Sequence, residues 1–223
     1  MNAEKITIDS QDYQRFALSD HWKTIMVGEK KVCATAVVGD MNAISSCSEN
    51  GRTAVSGCYL DVDINAKGAV TAIAGILYDI NIGGANTITS VSGDSGGHIR
   101  ITGTNSRAAI CTYEATVDVS GDNQRLAICD ASFINITGNN NEIAVVGCAP
   151  LIDCIGTGNR ISCSSPGTIV HATNGNWLSF ASCDDEGNFV GYATGCIGEN
   201  GLNGNVGYFV KNGQFVEAYR AAE

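Results

Sequence analysis

Three histidines, ten cysteines and many hydroxyl side chains are among the groups in this 223-residue chain able to carry covalent or metal chemistry. Their spacing does not assemble them. A general base needs a nucleophile or an orienting partner nearby, and none of His21, His98 and His171 falls in such a motif. No Gly-x-Ser-x-Gly elbow raises a serine on a strand-to-helix turn. The glycine-rich run Gly93-Asp94-Ser95-Gly96-Gly97 lacks the lysine and following helix that a phosphate loop requires. Structural zinc needs close pairs such as Cys-x-x-Cys, and no such pair occurs. The expectation is a protein with no catalytic, cofactor or metal site.

What positions the side chains is a repeat. Asn50, Gly68, Asn86, Asn105, Asn123, Asn141, Asn159 and Asn176 return every seventeen to nineteen residues, each opening a strand-like stretch. A period of this size is the signature of a solenoid whose coils bury one another's faces. The first stretch reads Arg52-Thr53-Ala54-Val55, Val70-Thr71-Ala72-Ile73, Ile88-Thr89-Ser90-Val91, Arg107-Ala108-Ala109-Ile110, Arg125-Leu126-Ala127-Ile128 and Ile143-Ala144-Val145-Val146. Half a coil later comes Val62-Asp63-Ile64, Ile80-Asn81-Ile82, Ile99-Arg100-Ile101, Val117-Asp118-Val119, Ile134-Asn135-Ile136 and Ile152-Asp153-Cys154. Apolar residues flank a polar one each time, the pattern of a half-buried strand. The fold expected is all-β: a single-stranded parallel β-helix of about eight 18-residue coils, its hand left open. The asparagines are expected to stack at a corner, bonding to the coils above and below.

Alternation then sorts the side chains. In the first strand, Thr53/Val55 and their equivalents, including Ala144/Val146 and Ser162/Ser164, should face inward. The outward column would hold Arg52, Ile88, Arg107, Arg125, Ile143, Ile161 and Leu178, a mixture of arginine and aliphatics that reads as an oligomer interface. In the second strand the outward column is Asp63, Asn81, Arg100, Asp118, Asn135 and Asp153. Its acidic members and amides (Asp63, Asn81, Asp118, Asn135, Asp153) form a candidate partner-binding stripe.

Acids outnumber bases 23 to 13, giving a formal net charge of −10. Such a chain is repelled by phosphates and is not expected to bind nucleic acid directly. It can instead offer a basic protein the charge that nucleic acid offers. Met1 to Ser10 has no apolar signal-peptide core, and no stretch is long and apolar enough to span a bilayer. A cytoplasmic protein with reduced thiols follows as an expectation, with Cys111 and Cys129 stacked as small apolar side chains.

Aromatics gather at the ends, where they can plug an open coil stack: Tyr13, Phe16 and Trp22 before the repeats, and Trp177, Phe180, Phe189, Tyr192, Tyr208, Phe209, Phe215 and Tyr219 late in the chain. A short helix over Ser10 to Leu18, with Ser10 as its N-cap, is expected in an N-terminal cap over residues 1–31. The β-helix would run over 32–183 and a C-terminal cap over 184–223. In that cap Asn212-Gly213 predicts a hairpin with a type I′ turn. The tail, from Asp184-Asp185-Glu186-Gly187-Asn188 through Gly195-Cys196-Ile197-Gly198-Glu199-Asn200-Gly201-Leu202 to Gly213-Gln214-Phe215-Val216-Glu217, resembles the closing module of β-helical repeat proteins of phages and bacteria. Gly207-Tyr208 departs from the Trp-Tyr of that family. The resemblance covers about the last fifty residues and implies a phage or prophage origin, an intracellular life and no enzyme activity. The run Asn141 to Gly147 is similar to head repeats of trimeric autotransporter adhesins.

Three functional expectations follow. The first is a non-enzymatic binding protein in the host cytoplasm, possessing a homodimer interface, that inhibits a host defence protein with a basic nucleic-acid-binding surface. The second is an adhesin-like or virion fibre component. The third is a hexapeptide-type acyltransferase using His171 as base, as left-handed β-helix acyltransferases use a histidine near a subunit interface.

Overall fold

The computed structural model describes residues 4–8, 15–28, 34–93, 96–148 and 150–218. Among them there are strands and turns and no helix. The strands are β1 (Glu4–Ile8), β2 (Arg15–Ser19), β3 (Lys23–Val27), β4 (Ala34–Val38), β5 (Ala43–Ser46), β6 (Arg52–Asn65), β7 (Val70–Gly83), β8 (Ile88–Gly93), β9 (His98–Ile101), β10 (Arg107–Thr112) and β11 (Thr116–Val119). They continue as β12 (Arg125–Cys129), β13 (Phe133–Ile136), β14 (Glu142–Val146), β15 (Leu151–Cys154), β16 (Arg160–Cys163), β17 (Ile169–Ala172), β18 (Trp177–Cys183), β19 (Phe189–Cys196), β20 (Gly207–Lys211) and β21 (Gln214–Glu217). Two parallel ladders run the length of the chain. One stacks β2, β4, β8, β10, β12, β14, β16 and β18 with the first halves of β6 and β7. The other stacks β1, β3, β5, β9, β11, β13, β15 and β17 with the second halves of β6 and β7. The result is a parallel β-solenoid of about nine turns. The first coil is β2–β3, the third β6, the fifth β8–β9 and the ninth β16–β17, with β18 opening a tenth.

The additional turn comes from the N-terminus. Residues 1–31, expected as a cap with a helix, supply β1, β2 and β3 to the same ladders. Ser10 to Gln14 lie outside the described residues, but Arg15–Ser19 is a strand paired in register with Ala34–Val38. Phe16 and Leu18 pack toward the core while Arg15, Ala17 and Ser19 face out. That period of two, continued from the neighbouring coil, prevails over the helix spacing seen locally.

The core is a stack of aliphatic pairs. Val62/Ile64, Ile80/Ile82, Ile99/Ile101, Val117/Val119 and Ile134/Ile136 are buried in consecutive coils of the second ladder. Burying each such side chain contributes about 1.5–3 kcal/mol. The corner that leads into each first strand explains the recurring asparagine. Asn50, Asn86, Asn105, Asn123 and Asn140 adopt φ between 53° and 59°, and Gly68, Gly158 and Gly175 occupy the same place. Asparagine and glycine are the residues that enter this left-handed region most readily. The next residue is buried each time: Thr87, Ser106, Gln124, Asn141, Asn159 and Asn176 in the later coils.

Two columns therefore share the repeat. Asn123 belongs to the outer, left-handed column, whereas Asn141, Asn159 and Asn176 belong to the buried one beside it. Aligning them with Asn123 displaces the last three coils by one residue. A one-residue slip exchanges the faces of a strand, so Ile143/Val145 and Ile161/Cys163 are buried where Ala144/Val146 and Ser162/Ser164 were expected.

The C-terminus closes both ladders with strands running the other way. β19 pairs antiparallel with β18, and β20 pairs antiparallel with β17 and then β21. The β20–β21 turn has Asn212 at φ 50° and Gly213 at φ 77°, as a type I′ hairpin requires. Phe180, Tyr208 and Phe215 fill the end of the core, with ring centroids 6.3 and 6.4 Å apart. Trp22, Trp177, Phe189 and Tyr192, expected as plugs, are exposed instead. Tyr13 and Tyr219 lie outside the described residues.

Candidate protein-binding faces

Alternation leaves each ladder two outward columns that are free of the core. In the second ladder one column runs Ser45, Asp63, Asn81, Arg100, Asp118, Asn135, Asp153, His171, each residue in register with the next. The expected stripe of Asp63, Asn81, Asp118, Asn135 and Asp153 is thus one continuous row of half-buried side chains. A second outward column beside it carries Asp61, Asp79 and His98. These three were not singled out from the sequence, although they stand two positions before the polar residue of each strand and so share its face.

The two columns are bonded together. The Arg100 guanidinium spans Asp79 (Nη1 to Oδ1 2.7 Å, to Oδ2 3.0 Å) and donates from Nη2 to Nδ1 of His98 at 2.8 Å. Since the guanidinium has no acceptor, His98 Nδ1 must be the acceptor and Nε2 carries the proton. That Nε2–H donates to Asp118 Oδ2 at 2.5 Å. Asn135 Nδ2 donates to Asp118 Oδ1 at 2.8 Å, and Asn81 Nδ2 donates to Asp63 Oδ1 at 3.0 Å. Both ring nitrogens of His98 are therefore engaged, and the network holds charge in place. Burial alone would raise the Asp118 carboxyl, but the Asn135 and His98 hydrogen bonds outweigh it and hold the group below the usual carboxylate range. Asp61 goes the other way, raised by desolvation and by the negative charges of Asp79 and Asp63.

The first ladder carries the opposite charge. Arg52, Arg107, Arg125 and Ile88 face outward as expected. Ile143, Ile161 and Leu178, expected beside them, are buried at 3%, 1% and 1% exposure. The slipped register is the cause: Arg125 pairs with Glu142, Glu142 with Arg160, and Arg160 with Trp177. The outward column therefore continues through Glu142, Arg160 and Trp177. With Arg15 at its start it holds five of the seven arginines of the chain, Arg15, Arg52, Arg107, Arg125 and Arg160. Glu142 forms an ion pair with Arg125, Nε to Oε2 3.1 Å, and lies 3.9 Å from Arg160. Arg15, Arg52 and Arg107 have no ion-pair partner among the described residues. A neighbouring column of alanine and serine runs through Ala109, Ala127, Ala144 and Ser162, and its last three residues floor an open groove of ≈ 560 Å³ beside the arginines.

The remaining candidates are less assembled. His171 stands next to Asp153 in register and lies under the cap, opposite Gly207 of β20. His21 is exposed and accepts the backbone N–H of Asp40 at Nδ1, 3.0 Å away. Cys111 and Cys129 are neighbours in register, as the repeat implied, but they face out of the first ladder rather than into the core. Cys154 and Cys163 are the cysteines that fill the interior of the coils, and burial pushes the Cys154 thiol up to about 11. Among the described residues no three His, Cys, Asp or Glu side chains are grouped to hold a metal ion. No profile of a protein family, no curated protein and no solved structure matches the chain.

Proposed function

We propose that this chain is a non-enzymatic protein-binding solenoid of phage or prophage origin, working in the cytoplasm of the host. Its acidic second-ladder face engages a basic, nucleic-acid-binding surface of a host protein, such as a component of a defence system, and so inhibits it. The observation that carries this reading is the crowding of Asp61, Asp63 and Asp79 on adjacent coils. Like charges side by side on one face of a sheet are destabilising, and among the described residues no cation pairs with Asp61. A basic partner supplies that cation. The hydrogen-bonded chain from Asp79 to Asp118 fixes the carboxylates before binding, which reduces the ordering cost of association. The resemblance of the tail to phage and bacterial β-helical proteins supports the origin and the intracellular setting.

The test is affinity capture from host lysate with the wild-type chain, with Asp61→Lys/Asp63→Lys, and with Arg107→Ser/Arg125→Ser. A basic host protein captured by the wild type and the arginine variant, and lost with the aspartate variant, is the expected result. Equal capture by all three, or incorporation of the chain into phage particles with no host partner, overturns the reading. Far-UV circular dichroism checks that both variants keep their strands.

A further inference from the structure

Because all coils share one repeat, the charges on the two faces can be read coil by coil. On the acidic face the third coil presents Asp61 and Asp63, the fourth Asp79, the fifth Arg100 and the sixth Asp118. On the basic face the sixth coil presents Arg107, the seventh Arg125, the eighth Glu142 and the ninth Arg160. One row reads acid, acid, base, acid; the other reads base, base, acid, base. We infer that these rows are two halves of one interface, and that the acidic face of one copy of this chain docks on the basic face of a second copy. The two lie parallel and are staggered by three coils, roughly 14 Å at the spacing of adjacent strands. The inference rests on the reading of the acidic face as a protein-binding surface and names a second occupant for it.

In that register Asp61 and Asp63 meet Arg107, Asp79 meets Arg125, Arg100 meets Glu142, and Asp118 meets Arg160. The stagger is selective. One coil further sets Asp79 against Glu142 and Arg100 against Arg160. One coil less sets Arg100 against Arg125 and Asp118 against Glu142. Like charges brought together in an interface are strongly disfavoured, so both neighbouring registers are rejected by the same residues that favour this one.

The flanking coils agree. Met26, 38% exposed on the first coil of the acidic face, comes opposite Val70, 41% exposed on the fourth coil of the other. At the far end Phe133 comes opposite Trp177, 49% exposed. The exposed Met26, Val70 and Trp177 and the half-buried Phe133 thus cover one another at both ends of the charged rows. The alanine and serine column beside the arginines lets two sheets approach to the ~10 Å of face-to-face packing. Joining two different faces makes the contact heterologous, so it repeats into a staggered stack unless the rotation between copies closes a ring.

Sedimentation velocity of the purified full-length chain, over a range of concentrations and salt, tests this. The wild type should form species larger than a dimer as concentration rises, and these should dissociate at high salt. Arg107→Ser/Arg125→Ser and Asp61→Lys/Asp63→Lys should each remain monomeric alone. Mixed in equal amounts they should form a one-to-one dimer, because one keeps an intact acidic face and the other an intact basic face. A wild type that stays monomeric, a variant that assembles like the wild type, or a mixture that stays monomeric overturns the inference. A monomeric wild type that still captures a host protein through Asp61 and Asp63 removes the stack and leaves the binding function standing. Loss of both removes the acidic face as a binding surface.

Discussion

Asn159 reaches both ways along the solenoid axis: its Oδ1 accepts the backbone N–H of Asn141 in the preceding coil at 2.9 Å, and its Nδ2 donates to Oδ1 of Asn176 in the following coil at 3.1 Å. The same upward bond recurs as Gln124 N–H to Asn141 Oδ1 at 2.7 Å and Asn159 N–H to Asn176 Oδ1 at 2.9 Å. Each buried corner amide is thus capped by the side chain of the following coil. Asn159→Leu keeps the volume and removes the cap, leaving a buried N–H without a partner, which costs about 1–3 kcal/mol. Asn140→Gly, at the exposed left-handed residue of the adjoining column, should change stability by less than about 1 kcal/mol. Chemical denaturation of the two variants should show that contrast. Equal losses would mean that the ladder is not what holds the corner.

That distinction also marks where the sequence was legible and where it was not. The second strands are legible because each carries apolar residues on both sides of a polar one, from Val62-Asp63-Ile64 to Ile152-Asp153-Cys154, and all of those apolar residues are buried. The faces of the first strands are legible only as far as Ile128. Beyond it the letter Asn changes column, from the left-handed Asn123 to the buried Asn141. Identity of residue type hides a change of structural role, so Ile143, Ile161 and Leu178 are buried where the asparagine spacing puts them outside. The change of column is signalled by Gln124, a polar residue at the place where Asn141, Asn159 and Asn176 later stand. The N-terminal strand is hidden in the sequence for a different reason. Its burial pattern is imposed by β4, a neighbour in space rather than in sequence.

Asp61 and Asp118 lie on the same face and should respond oppositely to removal of charge. The Asp61 carboxyl is raised by burial and by Asp79 and Asp63, so its ionised form costs stability at neutral pH, and the cost is relieved as pH falls through the folded-state value. Asp118 is held low, so the stability it contributes is present above the ordinary carboxylate range and is lost as pH falls through its folded-state value. Asp61→Asn should stabilise at pH 7 by a few tenths of a kcal/mol. Asp118→Asn should destabilise by about 1 kcal/mol, since it removes a charged acceptor from His98 and Asn135. Thermal melts at pH 7 should show opposite shifts, and melts in acid should show both shrinking. Shifts of the same sign would disprove the charge network as the source of either effect.

Cys111 and Cys129 occupy the same register on adjacent parallel strands and point to the same, outer side. Strands in a ladder are about 4.8 Å apart, within the Cα separation that a disulfide spans. Oxidation by diamide should therefore join these two cysteines: each thiol loses its proton, one electron pair passes to the diazene, and the S–S bond forms. Burial, and then the neighbouring Cys111, raise the Cys129 thiol above its ordinary value. Less thiolate is present at neutral pH as a result, so the reaction should accelerate as pH is raised toward that value. The bond closes a loop of one coil, which in the chain-entropy account stabilises by about 3 kcal/mol. Peptide mapping should find the Cys111–Cys129 link, and the oxidised protein should melt higher than Cys111→Ser treated alike. A link formed instead to Cys58 or Cys148 would show that the outer face of the first ladder is not stacked in this register.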